Sequence, residues 1–198
     1  LKLVKMLVLI IMALGAVMSP RIAYLSGKGH TEQISAYHSK MLLLLLTAGL
    51  PVCSLLALLA PEIIAVIAGP AFADAVPLLR LLSILPILIG LSNLYCFQTL
   101  IPLKRENLLV PAVLAGCAGS LALNLLLIPR YGATGAAVAT ISTEAVVTLI
   151  TGYFAHRAVH FKTGFRPIIE TVFSTGVVVT GVVCIRLISG SPLLTIAA

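Results

Sequence analysis

The sequence predicts an all-α membrane protein, a polytopic transmembrane bundle of about six helices. Three observations predict it. Hydrophobic residues make up 60% of the 198 and charged residues only 10%, whereas an ordinary soluble domain carries about 25% charged residues. The mean hydropathy is +1.16, so water cannot be the solvent for most of the surface. The apolar residues fall in runs long enough to cross a hydrocarbon core about 30 Å thick, which takes roughly 20 residues of helix. These runs are far longer than the roughly 10 residues of a barrel strand and show no alternation of period two. The whole chain, 1–198, therefore reads as a single membrane domain, with no room for a separate soluble unit.

Each segment is marked off by charge clusters or by Gly and Pro. The first, about 3–24, carries Lys2 and Lys5 ahead of an apolar run with small residues near its end. That outline is shared by signal peptides. A membrane helix is the reading preferred, because the polar loop after it leads straight into another spanning run. The second segment, about 41–67, begins after Lys40 and stops at the turn Ala68 to Asp74. The third, about 75–101, ends before Lys104-Arg105, and the fourth, about 107–128, ends at Pro129. The fifth, about 135–156, opens on Gly135-Ala136-Ala137 and closes at Arg157; the sixth, about 167–188, follows Arg166. Pro51, Pro61, Pro86 and Pro111 interrupt these spans, and Gly15, Gly49, Gly90, Gly116, Gly119, Gly135 and Gly152 lie along them. Proline removes a backbone hydrogen bond and glycine lets helices approach closely, so kinked and tightly packed helices are expected.

The loops alternate in charge. Arg21, Lys28 and Lys40 lie in the first, Lys104 and Arg105 in the third, and Arg157, Lys162 and Arg166 in the fifth. The second loop has no basic residue and the fourth has only Arg130. By the positive-inside rule the odd-numbered loops face the cytoplasm. Both ends of the chain would then face outward. That arrangement, with Leu1 in place of a starting Met, leads to the expectation that further helices precede this stretch.

Several function classes are disfavoured. The net charge of +7 invites a nucleic-acid reading, but the basic residues are scattered between apolar runs and serve better as topology signals. Cys53, Cys96, Cys117 and Cys184 each stand alone in apolar sequence, without metal-ligand or redox spacing, and read as small hydrophobes. His30, His38, His156 and His160 fall in or beside the basic loops and read as solvated. The acids Glu32, Glu62, Asp74, Glu106, Glu144 and Glu170 form no close pair suited to metal or pyrophosphate chemistry. There is no glycine-rich phosphate loop. No enzyme activity, metal or cofactor is expected.

Three local patterns carry a family resemblance. The first runs from Ala60-Pro61-Glu62-Ile63-Ile64 through Gly69-Pro70-Ala71-Phe72-Ala73-Asp74-Ala75 to Leu78-Leu79-Arg80-Leu81-Leu82. The second is Gln98-Thr99-Leu100-Ile101 before Lys104-Arg105. The third and most specific is Asn124-Leu125-Leu126-Leu127-Ile128-Pro129-Arg130-Tyr131-Gly132-Ala133-Thr134-Gly135-Ala136-Ala137-Val138-Ala139-Thr140, with Glu144 one turn on. Pro129 stops one helix, Gly132 supplies the turn, and Gly135-Ala136-Ala137 starts the next helix tight against its partner. Together these resemble the C-terminal lobe of polysaccharide (O-antigen type) flippases of the multidrug/oligosaccharidyl-lipid/polysaccharide exporter superfamily. The resemblance covers most of this chain and about half of such a protein, which has two related lobes.

The resemblance implies one lobe of a two-lobe exporter fold in the bacterial cytoplasmic membrane. It also implies movement of undecaprenyl-pyrophosphate-linked oligosaccharide to the periplasmic leaflet, with membrane lipids and the N-terminal lobe as partners. An anionic lipid head with a polar glycan requires a hydrated, cationic cavity. A charge inside a bilayer costs roughly 2.5–3.5 kcal/mol on insertion scales and normally faces such a cavity. The substrate-binding candidates are then Lys2, Lys5 and Arg80, with Asn93, Asn124 and Glu144 as polar partners. Arg80 also suits snorkelling to head groups, Arg186 suits an interface anchor, Glu144 an interhelical hydrogen bond and Asn124 helix packing. Two alternatives remain open: a multidrug or cation antiporter of the same superfamily, which calls for an acidic intramembrane site, and a membrane-embedded transferase of glycan assembly, which calls for a large outer loop.

Overall fold

The computed structural model describes residues 19–28, 30–159 and 165–188. Among these residues the fold is all-α, with no strand. Helices α1 (Ser19–Gly27), α2 (Thr31–Leu58) and α3 (Ala60–Ile67) lead into a 3-10 turn, Pro70–Ala75. Helices α4 (Val76–Leu82) and α5 (Leu85–Tyr95) follow, and α5 continues into a π turn, Cys96–Leu100. A short 3-10 turn, Glu106–Leu108, opens α6 (Leu109–Val159), and α7 (Phe165–Ile188) closes the described chain. Most of the expected first segment, about 3–24, lies outside the described residues.

Three stretches are long and apolar enough to cross a bilayer: Glu32–Leu58, Pro70–Leu100 and Glu106–Val159. The last has 54 residues, which as one straight helix would reach about 80 Å at 1.5 Å per residue. It is broken at Gly132, whose φ of 55° and ψ of −129° lie outside helical space. That combination suits the first central position of a type II′ turn, which glycine dominates. The arms on either side, an outer arm 109–131 and an inner arm 133–159, run antiparallel. A Cβ at Gly116 would lie 2.6 Å from Val147 Cγ2, and one at Gly135 would fall on the backbone of Leu127. Partner numbers thus rise on one arm as they fall on the other, as a hairpin requires.

The four prolines expected to break spans behave differently from one another. Pro61 and Pro86 open α3 and α5, where a missing N–H leaves no helix bond unmade. Pro51 lies inside an unbroken α2. Pro111 lies in the first turn of α6, where the N–H groups have no intrahelical partner in any case. The stretch 31–40, expected as loop, is the first part of α2. The reason is a buried face: Ile34, His38, Leu45, Gly49, Cys53 and Leu56 recur at roughly helical spacing and are all buried.

Two small cores fix the two ends. At one, Ile22 and Leu25 of α1 pack with Ile34 of α2 and Val159 of α6, and Leu103 lies against them. This gathers the start of α2, the turn after α5 and the end of α6, and with them Arg21, Lys28, Lys104, Arg105 and Arg157. At the other, Ala60, Leu79, Leu82, Leu85 and Ala137 join α3, α4, α5 and the inner arm of α6. Between the ends, Leu114, Leu121, Leu125, Leu126, Leu149 and Phe173 are 63–73% exposed. In water such a surface would far exceed the apolar patch of a soluble monomer; against lipid tails it carries no penalty.

Candidate functional site

Lys2 and Lys5 lie outside the described residues, as does the side chain of Arg186. Arg80 is exposed on α4 at the turn-rich end, and its carbonyl accepts the Ser83 hydroxyl at 2.7 Å. Asn93 is half-buried on α5 and donates from Nδ2 to Ile89 O at 3.1 Å. Asn124, on the outer arm of α6, donates from Nδ2 to Ser120 O at 2.8 Å and to Ser120 Oγ at 3.2 Å. Glu144 is half-buried on the inner arm. No hydrogen bond or ion pair joins any two of Arg80, Asn93, Asn124 and Glu144. They are distributed over the bundle rather than gathered in one pocket.

Two polar places do stand out. The first is a groove between the arms of α6, lined by Gly116, Cys117, Ser120, Asn124, Thr143 and Val147. Thr143 Oγ1 is buried there with no hydrogen-bond partner. Asn124, its amide hydrogens directed back along its own helix, keeps Oδ1 as an acceptor. The groove therefore offers hydroxyl and amide groups in a surface that is otherwise aliphatic. Nearby, the Thr148 hydroxyl donates to Leu88 O at 3.0 Å and ties the inner arm to α5.

The second place corrects the reading of His38 as a solvated loop residue. His38 is wholly buried, while His30 and His156 are exposed and His160 lies outside the described residues. Its Nδ1 is 2.9 Å from Thr99 Oγ1, and Thr99 donates its one hydroxyl proton to Leu94 O at 2.9 Å. Thr99 Oγ1 is left to accept, so Nδ1 carries the hydrogen and Nε2 the lone pair. The imidazole stacks on Tyr95 with centroids 5.8 Å apart and planes 16° from parallel. Tyr95 in turn lies against Gly152 of α6, where a Cβ would come within 3.0 Å of its ring.

All of this rests on the π turn. Ile101 N–H bonds to Cys96 O at 3.0 Å, five residues back, and Arg105 N–H to Leu100 O at 2.9 Å. The wider loop directs the Phe97 carbonyl outward, where the Ser19 hydroxyl of α1 donates to it at 2.9 Å. Gln98, 8% exposed, holds Oε1 buried without a hydrogen-bond partner. Single π turns inside helices frequently mark functional positions. The signal for His38 in the sequence was its place four residues after Ile34 and seven before Leu45, on the buried face of α2. Among the described residues no three His, Cys, Asp or Glu side chains converge as a metal site would need.

Helix, hydropathy and lipid-facing surface define the class: an all-helical membrane protein. Comparison with known proteins agrees at that level. The chain is 26% identical over 145 residues to the uncharacterized membrane protein MJ1068 of Methanocaldococcus jannaschii. The match takes in 73% of this chain and 28% of that protein, so the chain spans less than a third of its relative's length. No protein-family model matches the chain, and no solved structure does.

Proposed function

We propose that this chain forms one lobe of a lipid-linked oligosaccharide exporter of the polysaccharide-flippase type. It would lie in a bacterial cytoplasmic membrane as a multi-pass protein, with its basic end toward the cytoplasm and its work transport rather than chemistry. The observation that carries the reading is the α6 hairpin about Pro129-Arg130-Tyr131-Gly132, the stretch in which the family resemblance is most specific. Its tight turn at Gly132 and close helix start at Gly135 are what that pattern requires. The groove along the same hairpin supports it further. Asn124 Oδ1, Ser120 and the Thr143 hydroxyl form a hydrogen-bonding track at membrane depth, suited to glycan hydroxyls. In this reading Arg80, at the end away from the basic loops, would meet the diphosphate as it reaches the outer leaflet. A second lobe would supply the opposite wall of the path.

The test is native mass spectrometry of the chain in nanodiscs holding undecaprenyl-pyrophosphate oligosaccharide and phosphatidylglycerol. The expected result is preferential retention of the lipid-linked oligosaccharide, weakened about tenfold by Asn124→Leu with Thr143→Val, the loss of about 1.4 kcal/mol of polar contact. Equal retention of the two lipids, unaffected by these changes, would overturn the reading.

A further inference from the structure

The end of the bundle built on Ile22, Leu25, Ile34 and Val159 carries more positive charge than its own acids balance. Arg21 and Lys28 beside α1, Lys104 and Arg105 of the turn after α5, and Arg157 of α6 are all exposed there. Leu103, next to Lys104, and Ala158, next to Arg157, both pack on that core, and the Lys28 N–H bonds to Leu25 O at 3.2 Å. One small core thus brings cations from three elements to a common rim. Among the described residues the acids near this rim are Glu32 and Glu106, both exposed. Three of the cations lie over tyrosine rings: Arg21 over Tyr37 at 5.0 Å, Lys28 over Tyr24 at 4.5 Å and Arg157 over Tyr153 at 5.2 Å. Tyrosine collects where a bilayer meets water, so these rings set the cations at the level of the lipid head groups.

Apolar surface leads up to the rim. On α6, Leu149, Tyr153 and Arg157 follow one another at four-residue spacing and all are exposed. Residues so spaced share a helix face, which therefore passes from aliphatic to aromatic to cationic as it leaves the membrane. That is the order of acyl chain, glycerol ester and phosphate in a phospholipid. Phe97 and Ile101 are exposed just ahead of Lys104-Arg105 and repeat the sequence of apolar group and then charge. Lys104 itself has a φ of 57°. Its N–H bonds to Ile101 O and that of Arg105 to Leu100 O, both at 2.9 Å, the paired bonds of a helix cap whose left-handed residue is most often glycine. Lysine in that conformation lowers stability but keeps a charge on the rim.

We propose that this rim is a binding site for an anionic glycerophospholipid of the surrounding membrane. Its phosphodiester lies among Lys28, Lys104, Arg105 and Arg157, and its acyl chains lie against the apolar strips below them. A zwitterionic lipid is disfavoured because its choline or ethanolamine cation meets the same side chains and is repelled. Basic residues at a membrane surface attract anionic lipid by about fivefold each. The bound lipid ties α1, a nine-residue helix resting on Ile22 and Leu25, to the ends of α5 and α6. The site is separate from the groove lined by Asn124 and Thr143. It does not depend on what the protein transports, and it survives if the exporter reading fails.

The experiment is native mass spectrometry of the full chain, released from detergent micelles after titration with phosphatidylglycerol or with phosphatidylcholine of the same acyl chains. The expected result is phosphatidylglycerol bound about tenfold more tightly than phosphatidylcholine, with the preference falling as ammonium acetate is raised and the charges are screened. Lys28→Gln, Lys104→Gly and Arg157→Gln should each weaken phosphatidylglycerol binding about fivefold. Arg130→Gln, the same loss of charge at the Gly132 turn, should leave it unchanged. Lys104→Gly is the sharpest of these, because it relieves the backbone and raises the melting temperature, so weaker binding there does not come from a damaged fold. Four outcomes each overturn the proposal. They are equal binding of the two lipids, an equal loss in Arg130→Gln, no loss in Lys104→Gly, and displacement of the lipid by excess inorganic phosphate, which would make the rim a site for free anions. The first and last are read on the unaltered chain, so a variant that fails to fold leaves the test intact.

Discussion

Substituting Gly135 by alanine tests the hairpin more sharply than any other single change. The added Cβ would fall on the carbonyl oxygen of Leu127, 2.6 Å from its carbonyl carbon and 3.2 Å from Ile128 N. Optimal carbon–carbon separation is about 3.5–4.0 Å, so the arms of α6 must part by about 1 Å. Backbone cannot rotate aside as a side-chain tip can. Overpacking of this kind costs about 1–3 kcal/mol, and contact with main chain places Gly135→Ala at the upper end. A gap of about 1 Å also forfeits up to half the dispersion energy of the contacts it opens. The expected loss is about 3 kcal/mol, more than a hundredfold in the unfolding equilibrium. Reversible unfolding in mixed micelles by SDS, followed by circular dichroism, measures it. Gly119→Ala, whose Cβ would meet nothing within 4 Å, is the control and should be neutral or mildly stabilising. Equal stability of the two variants would refute the close approach of the arms.

Other outcomes follow from single positions. Gly132→Ala should lower stability by about 1–3 kcal/mol, because φ 55° with ψ −129° lies where side chains are strained; the same SDS titration reads it. Lys104 has a φ of 57°, so Lys104→Gly should raise stability by about 1 kcal/mol, visible as a higher melting temperature in detergent. Thr148→Val removes the bond to Leu88 O and should cost about 0.6 kcal/mol, the average for polar pairs between membrane helices. Cysteine introduced at Lys28 should react with an impermeant maleimide only from the cytoplasmic side, and one at Ala73 only from outside; labelling of both from one side would contradict the orientation.

Much of this fold was legible in the sequence because the membrane restricts the options. Once the bilayer is the solvent, only helices satisfy the backbone, and Gly and Pro then mark the turns. The turns at Gly69 and Gly132 and the basic turn at Lys104-Arg105 could be read in this way. The polar stretch 21–40 could not, because its charges masked an amphipathic pattern in which Ile22, Leu25, Ile34 and His38 all point inward. Hydropathy averages over a window, whereas burial follows the face. Helix breaks at Leu59 and Ser83 lie within continuous apolar runs, yet Pro61 and Pro86, just after them, marked them in the sequence, whereas Pro51 marked a break that the structure does not have. Of the candidate residues, Arg80, Asn93, Asn124 and Glu144 were chosen for being polar among apolar neighbours. That criterion finds groups inside the membrane but not how they meet, and the structure keeps them apart. His38 and Gln98 escaped it because they sit close to polar sequence, although both are more deeply buried than any of the four.

The uneven packing of the bundle explains why a few polar contacts matter so much in it. In water, burying aliphatic side chains would itself pull the helices together; in lipid the surrounding tails are as apolar as leucine, and that force vanishes. The outer arm of α6 illustrates the consequence, with only Ala112 and Gly116 of its residues buried. What fixes helix to helix is then close approach at small residues, such as Gly116 on Val147 and Gly152 on Tyr95, together with hydrogen bonds such as Thr148 to Leu88 and His38 to Thr99. Each such bond is worth only about 1 kcal/mol, so a single bond gained or lost can shift the balance between two arrangements. The π turn concentrates several of these contacts within five residues. A change in the hydrogen bonding of that turn acts on α1, α2 and α5 together, while the same change on the lipid-facing arm of α6 would act on nothing beyond its own helix.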